Sequence, residues 1–198
     1  MRRHPDSNRL TDALDRCVPF TAPWSGIVFR SASVRYANRD DFLTGVGAKA
    51  AGARWNPPAS FATVYTSMSP QTATAEALAH HRHFHLPVEN ALPRVLAAVQ
   101  VVLHRVLDLT SAKARKTLRV SREKLLTKDW RAANADDDEA LTQAIGRLAW
   151  EAEWEGLVVP SAADPDGTNL IIFPGNLTPP HSYLIIVNRG QLPPLAVT

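Results

Sequence analysis

A single cysteine, Cys17, is all the thiol this chain contains. No disulfide can close within it, and the expected compartment is a reducing cytoplasm. No motif beside Cys17 marks it as a nucleophile, so it reads as a plain thiol. Long apolar runs are also missing: no stretch approaches the roughly 20 residues that span a bilayer. Met1-Arg2-Arg3-His4-Pro5-Asp6 lacks the apolar core of a signal peptide, so export by that route is not expected. There is no glycine-rich dinucleotide fingerprint and no phosphate loop, which disfavours a doubly wound nucleotide fold. No internal repeat is present. A large excess of one charge is missing too. The formal net charge of +3 suits an anionic substrate, but it is not the clustered footprint of a nucleic-acid binder.

What remains is ordinary soluble protein. A length of 198 residues fits one sizeable domain and would cramp two. Leu10, Leu14 and Val18 recur at helical spacing, which predicts a short helix from about Ser7 or Thr11 after a frayed start, broken by Pro19 and Pro23. Gly26–Arg30 reads as a short strand ending in a cation. Residues 31–53 read as a long irregular segment with one helical turn near Asp40–Leu43, and loops of that length tend to bind. Phe61–Ser67 reads as a strand with Tyr65 and Val64 on opposite faces. Ser69 and Pro70 signal the start of a helix, as cap and first residue. Arg94–Leu109 is a long β run. Ser111–Arg119 and Ser121–Ala133 read as two basic helices, and Asp136–Glu139 as the acidic opening of a third. Gly156–Pro160, Asn169–Pro174 and Tyr183–Val187 complete the strands, with a turn at Asp164–Gly167 and a loose tail over Gln191–Thr198. Strands and helices without regular βαβ alternation give a mixed α+β fold in a single domain.

Three clusters invite chemistry that their spacing does not support. His80-His81-Arg82-His83-Phe84-His85 places His81 and His85 one turn apart. The zinc-protease motif needs glutamate directly after the first histidine, and this chain has Arg82 there, so no metal is expected. The acidic run at Asp136–Glu139 lacks the ordered spacing of a calcium loop. Lys113, Arg115, Lys116, Arg119, Arg122 and Lys124 read as a solvated helical face rather than a nucleic-acid surface.

The stretch from Gly52 to Leu78 is more informative. Arg54, Tyr65 and Glu76 follow one another eleven residues apart, on a loop, a strand and a helix. If strand and helix pack side by side, a cation, a phenol and a carboxylate face one cleft. Ala73 and Ala77 on the Glu76 side of the helix allow close packing against a sheet. Such a set suits a substrate with phosphates, sugar hydroxyls and a flat ring. Arg54-Trp55 alone also reads as a surface cation stacked on an indole.

Taken together, Phe29-Arg30, Gly52-x-Arg54-Trp55-Asn56, Tyr65-Thr66-Ser67, Glu76, Val159-Pro160-Ser161-Ala162 and Asn169–Pro174 resemble the RES-domain family, over about Ile27 to Val187. The N-terminal helix and the insert around Thr127–Asp138 fall outside the matched pattern. The resemblance implies an ADP-ribosyltransferase-like β core with flanking helices. It divides the chain into an N-terminal helical extension (1–25), a RES domain (26–190) and a tail (191–198). It implies a toxin of a toxin–antitoxin pair, with an Xre-type helix-turn-helix antitoxin as partner, acting on NAD⁺ as substrate by phosphorolysis or hydrolysis. Phosphate is then the expected co-substrate, and no cofactor is implied. By resemblance Arg54, Tyr65, Glu76 and Ser161 are catalytic, while Arg30, Arg54, Trp55, Tyr65 and Asn169 bind substrate. Breaking the nicotinamide–ribose bond generates an oxocarbenium-like centre, which a carboxylate such as Glu76 stabilises. Guanidinium groups suit the pyrophosphate. Nicotinamide leaves as a neutral group, so no strong general acid is needed. Ser161 has no His–Asp partners in sequence, which argues against a serine-hydrolase triad. Two other classes stay open: transfer of ADP-ribose to a protein, and a non-enzymatic basic nucleic-acid-binding role for the Lys113–Lys124 region.

Overall fold

The computed structural model describes residues 1–37 and 42–187. The expected tail at Gln191–Thr198 and the Asp40–Asp41 part of the expected helical turn lie outside them. Among the described residues six strands form the sheet: β1 (Thr21–Ser33), β2 (Val64–Ser67), β3 (Arg94–Asp108), β4 (Gly156–Pro160), β5 (Thr168–Ile172) and β6 (Tyr183–Ile186). The helices include α1 (Ser7–Asp15), α2 (Val46–Ala51), α3 (Pro70–His83), α4 (Ala112–Leu118), α5 (Arg122–Thr127), α6 (Trp130–Ala135) and α7 (Leu141–Glu151). Helices and strands mix within one domain, as the α+β reading expects.

β1 and β3 pair antiparallel along almost their whole length, from Thr21 opposite Leu107 to Ser33 opposite Arg94. β1 is thus far longer than the run at Gly26–Arg30 suggests, and it passes through Pro23. Proline cannot donate to a ladder and is tolerated at bulges; the register shift between Ala22 and Trp24 falls at Pro23. β4 runs parallel to the end of β3, β5 antiparallel to β4, and β2 antiparallel to β5. β2 returns to β1 through one pair, Phe29 opposite Ser67. The pairings therefore close a circuit, β1–β2–β5–β4–β3–β1, with β6 added beside β3.

Alternation along the strands divides the apolar residues between two cores. Val28, Val64, Val99, Val101, Leu170 and Ile172 share one face with Phe42. Leu157, Val159, Ile171 and Phe173 face the other way, against Leu10 and Leu14 of α1, Leu118 of α4 and Ile145 of α7. Cys17 is buried in this second core, and burial pushes its thiol up, away from reactivity.

Several local expectations change. α1 stops at Asp15, so Val18 lies beyond it in a 3₁₀ turn and is exposed. The start of the chain is anchored rather than frayed: Arg2 pairs with Asp138 at 2.7 Å and its N–H bonds Asp137 O. The acidic run does not open α7, which begins at Leu141; it receives the N-terminal segment instead. Within it, Glu139 is buried and bonds Arg147 at 2.6 Å. The expected single helix over Ser121–Ala133 is two. Ser121 caps α5, and Asp129 starts α6 by accepting from the N–H groups of Arg131 and Ala132. The expected strand at Phe61 begins only at Val64.

Candidate active site

α3 begins as its sequence directs. Ser69 Oγ accepts from Thr72 N at 3.0 Å, with Pro70 at the first helical position. Thr72 Oγ1 then donates to Asp164 Oδ2 at 2.7 Å, which docks the β4–β5 turn on the helix start. That turn closes through Gly167 N to Asp164 O, and Gly167 N–Cα passes so near Thr72 that a Cβ would come within 2.6 Å of its methyl. In the same turn Ser161 Oγ accepts from Ala163 N and Asp164 N, a hydroxyl-closed turn.

These contacts fix the carboxylate one turn further along α3. Ser161 Oγ donates to Glu76 Oε1 at 2.6 Å, and Asn169 Nδ2 donates to the same oxygen at 2.7 Å. Asn169 is itself oriented, its Oδ1 accepting from Ser67 Oγ at 2.7 Å. Among the described residues no hydrogen bond reaches Glu76 Oε2. One oxygen is held and the other is left for a ligand.

Arg54 is placed by a separate piece of architecture. Gly52 ends α2 with φ of 70°, and a Cβ there would lie 2.6 Å from Pro58 N, so glycine is required. Ala53 and Asn56 form a tight turn, N–H to carbonyl at 2.9 Å. Asn56 is fully buried and ties the turn to α2 through Ala48 O. Tyr65 holds it from the sheet: its hydroxyl accepts from Trp55 N at 2.9 Å and donates to Asn56 Oδ1 at 2.8 Å. Gln143 on α7 donates to Ala53 O, and Gly146 permits the contact, since a Cβ there would lie 1.9 Å from Trp55 O. Arg54 Nη1 bonds the carbonyls of Leu125 and Lys128. Burial holds its guanidinium below the usual range, and the Glu76 carboxylate pulls the other way. Arg30 arrives from β1 and donates from Nη1 to Tyr65 O at 2.9 Å. Tyr65 therefore braces both arginines, one through its carbonyl and one through the turn its hydroxyl secures. Burial pushes that phenol well above its ordinary range.

Two cavities meet here. One, of about 290 Å³, is lined by Phe29, Arg30, Thr66, Ser67, Ala73 and Ala77. The other, of about 340 Å³, is lined by Arg54, Ala79, His83, Trp130, Arg131 and Ala162. Tyr65, Glu76 and Asn169 belong to both walls. The structure thus brings Arg30, Arg54, Tyr65, Glu76, Ser161 and Asn169 together. Ser161 acts through Glu76 rather than standing free, and the Tyr65 hydroxyl is spent on the loop.

Trp55 differs from expectation. It borders the second cavity but is 2% exposed and sits in the helix-side core, so it offers no open face for a nicotinamide ring, nor is it a surface indole. The basic run lines neither cavity; Arg115 bonds Leu109 O, Arg122 bonds Pro165 O, and Lys113 sits over the Phe20 ring. Among the described residues no three His, Cys, Asp or Glu side chains are grouped to hold a metal. Sequence alone assigns no role to Ser67, whose hydroxyl orients Asn169, or to the pair Trp130-Arg131. The Asp129 cap directly before that pair was the available signal of a new helix.

Comparison with known proteins identifies the family and the fold. The RES domain family model matches residues 25–193. NAD(+) phosphorylase MbcT of Mycobacterium tuberculosis is 30% identical over 154 residues, covering 77% of this chain and 74% of the relative. MbcT of Mycobacterium bovis matches with the same figures. The crystal structure of the M. tuberculosis MbcT-MbcA toxin-antitoxin complex contains a chain that superposes with a TM-score of 0.67 at 24% identity. That match covers 91% of this chain and 93% of that one, and speaks for a shared fold. The chain belongs to the RES domain family.

Proposed function

We propose that this protein is a toxin that degrades NAD⁺ by cleaving its nicotinamide–ribose bond, with inorganic phosphate as the acceptor. The observation that carries the reading is Glu76, whose Oε1 is pinned by Ser161 and Asn169 where two cavities meet beside Arg30 and Arg54. As the C1′–N1 bond breaks, its electron pair leaves with neutral nicotinamide and positive charge develops on the ribose. A fixed carboxylate is worth most at that moment, because it need not reorganise. A phosphate oxygen then bonds C1′, and the products are nicotinamide and ADP-ribose 1′-phosphate, the primes denoting the nicotinamide ribose. Arg30 and Arg54 supply guanidinium groups for phosphoryl oxygens. The name of the MbcT relatives supports phosphate over water.

The MbcT-MbcA complex supports a protein antitoxin as partner; we propose the helix-turn-helix type and a cytoplasmic setting, where the NAD⁺ pool is. No described helix is long and apolar enough to cross a membrane. The test is nicotinamide release by purified protein with and without phosphate. Phosphate-stimulated release with ADP-ribose 1′-phosphate as product is expected. Release without phosphate dependence points to hydrolysis, and label appearing on protein points to transfer. No NAD⁺ loss under any condition overturns the enzymatic reading.

A further inference from the structure

The segment around Thr127–Asp138 forms one wall of the larger of the two cavities, through Trp130 and Arg131. Its helix, α6, starts where Asp129 Oδ1 accepts from Arg131 N at 2.9 Å and Ala132 N at 3.1 Å. This cap fixes the direction in which the first two side chains leave the helix. Arg131 lies over the Trp130 ring, 4.3 Å from its centroid, and both line the cavity together with Arg54. Among the described residues no side-chain hydrogen bond or ion pair engages the Arg131 guanidinium. Arg54 reaches to the same segment, since its Nη1 bonds the carbonyl of Leu125 in α5 and that of Lys128 in the α5–α6 joint. The α6 wall and Arg54 are therefore one assembly.

Two guanidinium groups share this cavity. Arg54 and Arg131 line it with the Glu76 carboxylate, and Asp129, outside the lining, acts on both arginines. Both guanidinium groups are partly buried, and burial lowers the pKa of each; the Arg131 charge also works against that of Arg54. Two guanidinium groups are not brought into one half-buried space without cost unless an anion joins them.

We propose that Arg131, placed over the Trp130 ring, and Arg54 clamp a phosphoryl group in this cavity. The choice of ligand rests on the NAD⁺-cleaving reading, which offers two phosphoryl sources: the diphosphate of NAD⁺ and the orthophosphate acceptor. Planar guanidinium forks suit either one, and the stacked indole limits the rotamers that Arg131 would otherwise sample.

Binding is measured on Glu76→Gln protein, so that NAD⁺ is not consumed, with inorganic phosphate and NAD⁺ titrated separately. Adding Arg131→Gln should weaken at least one of them about tenfold, the scale of one charge-assisted hydrogen bond. Arg131→Lys should recover only part, because the fork is lost. Weakening confined to inorganic phosphate assigns the clamp to the acceptor; weakening confined to NAD⁺ assigns it to the diphosphate. Steady-state assays in otherwise wild-type protein should show the matching rise in KM. Unchanged affinity for both ligands in an Arg131→Gln variant that melts like its parent overturns the proposal. If that variant does not fold, Arg131→Lys decides, and its full parental affinity for both ligands is the overturning result. The binding arms report on the clamp even if the wild type releases no nicotinamide, the result that removes the cleavage reading.

Discussion

Glu76 receives both of its hydrogen bonds on one oxygen, and this separates two kinds of substitution. Glu76→Gln keeps an acceptor for Ser161 and Asn169 but removes the charge. It should fold normally, bind NAD⁺ within a few-fold, and release nicotinamide roughly 10²-fold more slowly or worse; wild-type rates would mean the site is misassigned. Ser161→Ala removes one of the two supports and also strips the acceptor from Ala163 N and Asp164 N. The expected result is a smaller loss of kcat together with a stability loss of about 1–3 kcal/mol, read by denaturant titration. Tyr65 gives a different signature. Its phenol is protonated and buried in the fold, with a pKa raised above the unfolded value. The stability this contributes is complete below pH about 10, the unfolded tyrosine pKa, and is lost as pH rises from there toward the folded value. Tyr65→Phe should flatten that alkaline decline, measured by melting temperature against pH, and weaken the protein at neutral pH by releasing Trp55 N and Asn56.

At the level of elements, α7 matters to the cleft without lining it. Gly146→Ala would drive a methyl into Trp55 O, so either helix or loop must move. We expect a destabilisation of about 1–3 kcal/mol, as for an overpacked core, together with a loss of NAD⁺ affinity because Arg54 moves with the loop. Calorimetry and NAD⁺ titration on one preparation check both. Arg147→Ala on the same helix would leave Glu139 buried and unpaired. A cost of about 3–5 kcal/mol is expected, with little direct effect on substrate affinity in whatever protein remains folded. The elements most legible in the sequence were those whose signals are local: the Ser69-Pro70 start of α3, the turn at Asp164–Gly167, and the apolar runs of β4 and β5. Glu76 was found because its alanine-lined face is local too. β1 was read too short because Pro23 looks like a break until a bulge accommodates it. The role of Gly146 was invisible, since a glycine inside a helical pattern does not announce which backbone lies against it. Trp55 was read as available because sequence alone could not say which core its neighbours would build.

The whole molecule is a circuit of strands in which distant segments complete the site. The partners of Glu76 Oε1 lie 85 and 93 residues further along the chain, and β5 supplies Asn169 while joining β2 to β4. A fragment ending at Pro160 therefore lacks both supports of the carboxylate and two strands of the sheet, β5 and β6. It should show neither cooperative unfolding by circular dichroism nor nicotinamide release, and its expression should leave growth unaffected. During synthesis the same arrangement acts as a delay. On the proposed NAD⁺-cleaving reading, a chain whose Arg30, Arg54, Tyr65 and Glu76 have left the ribosome should stay inactive until β5 emerges and closes the circuit.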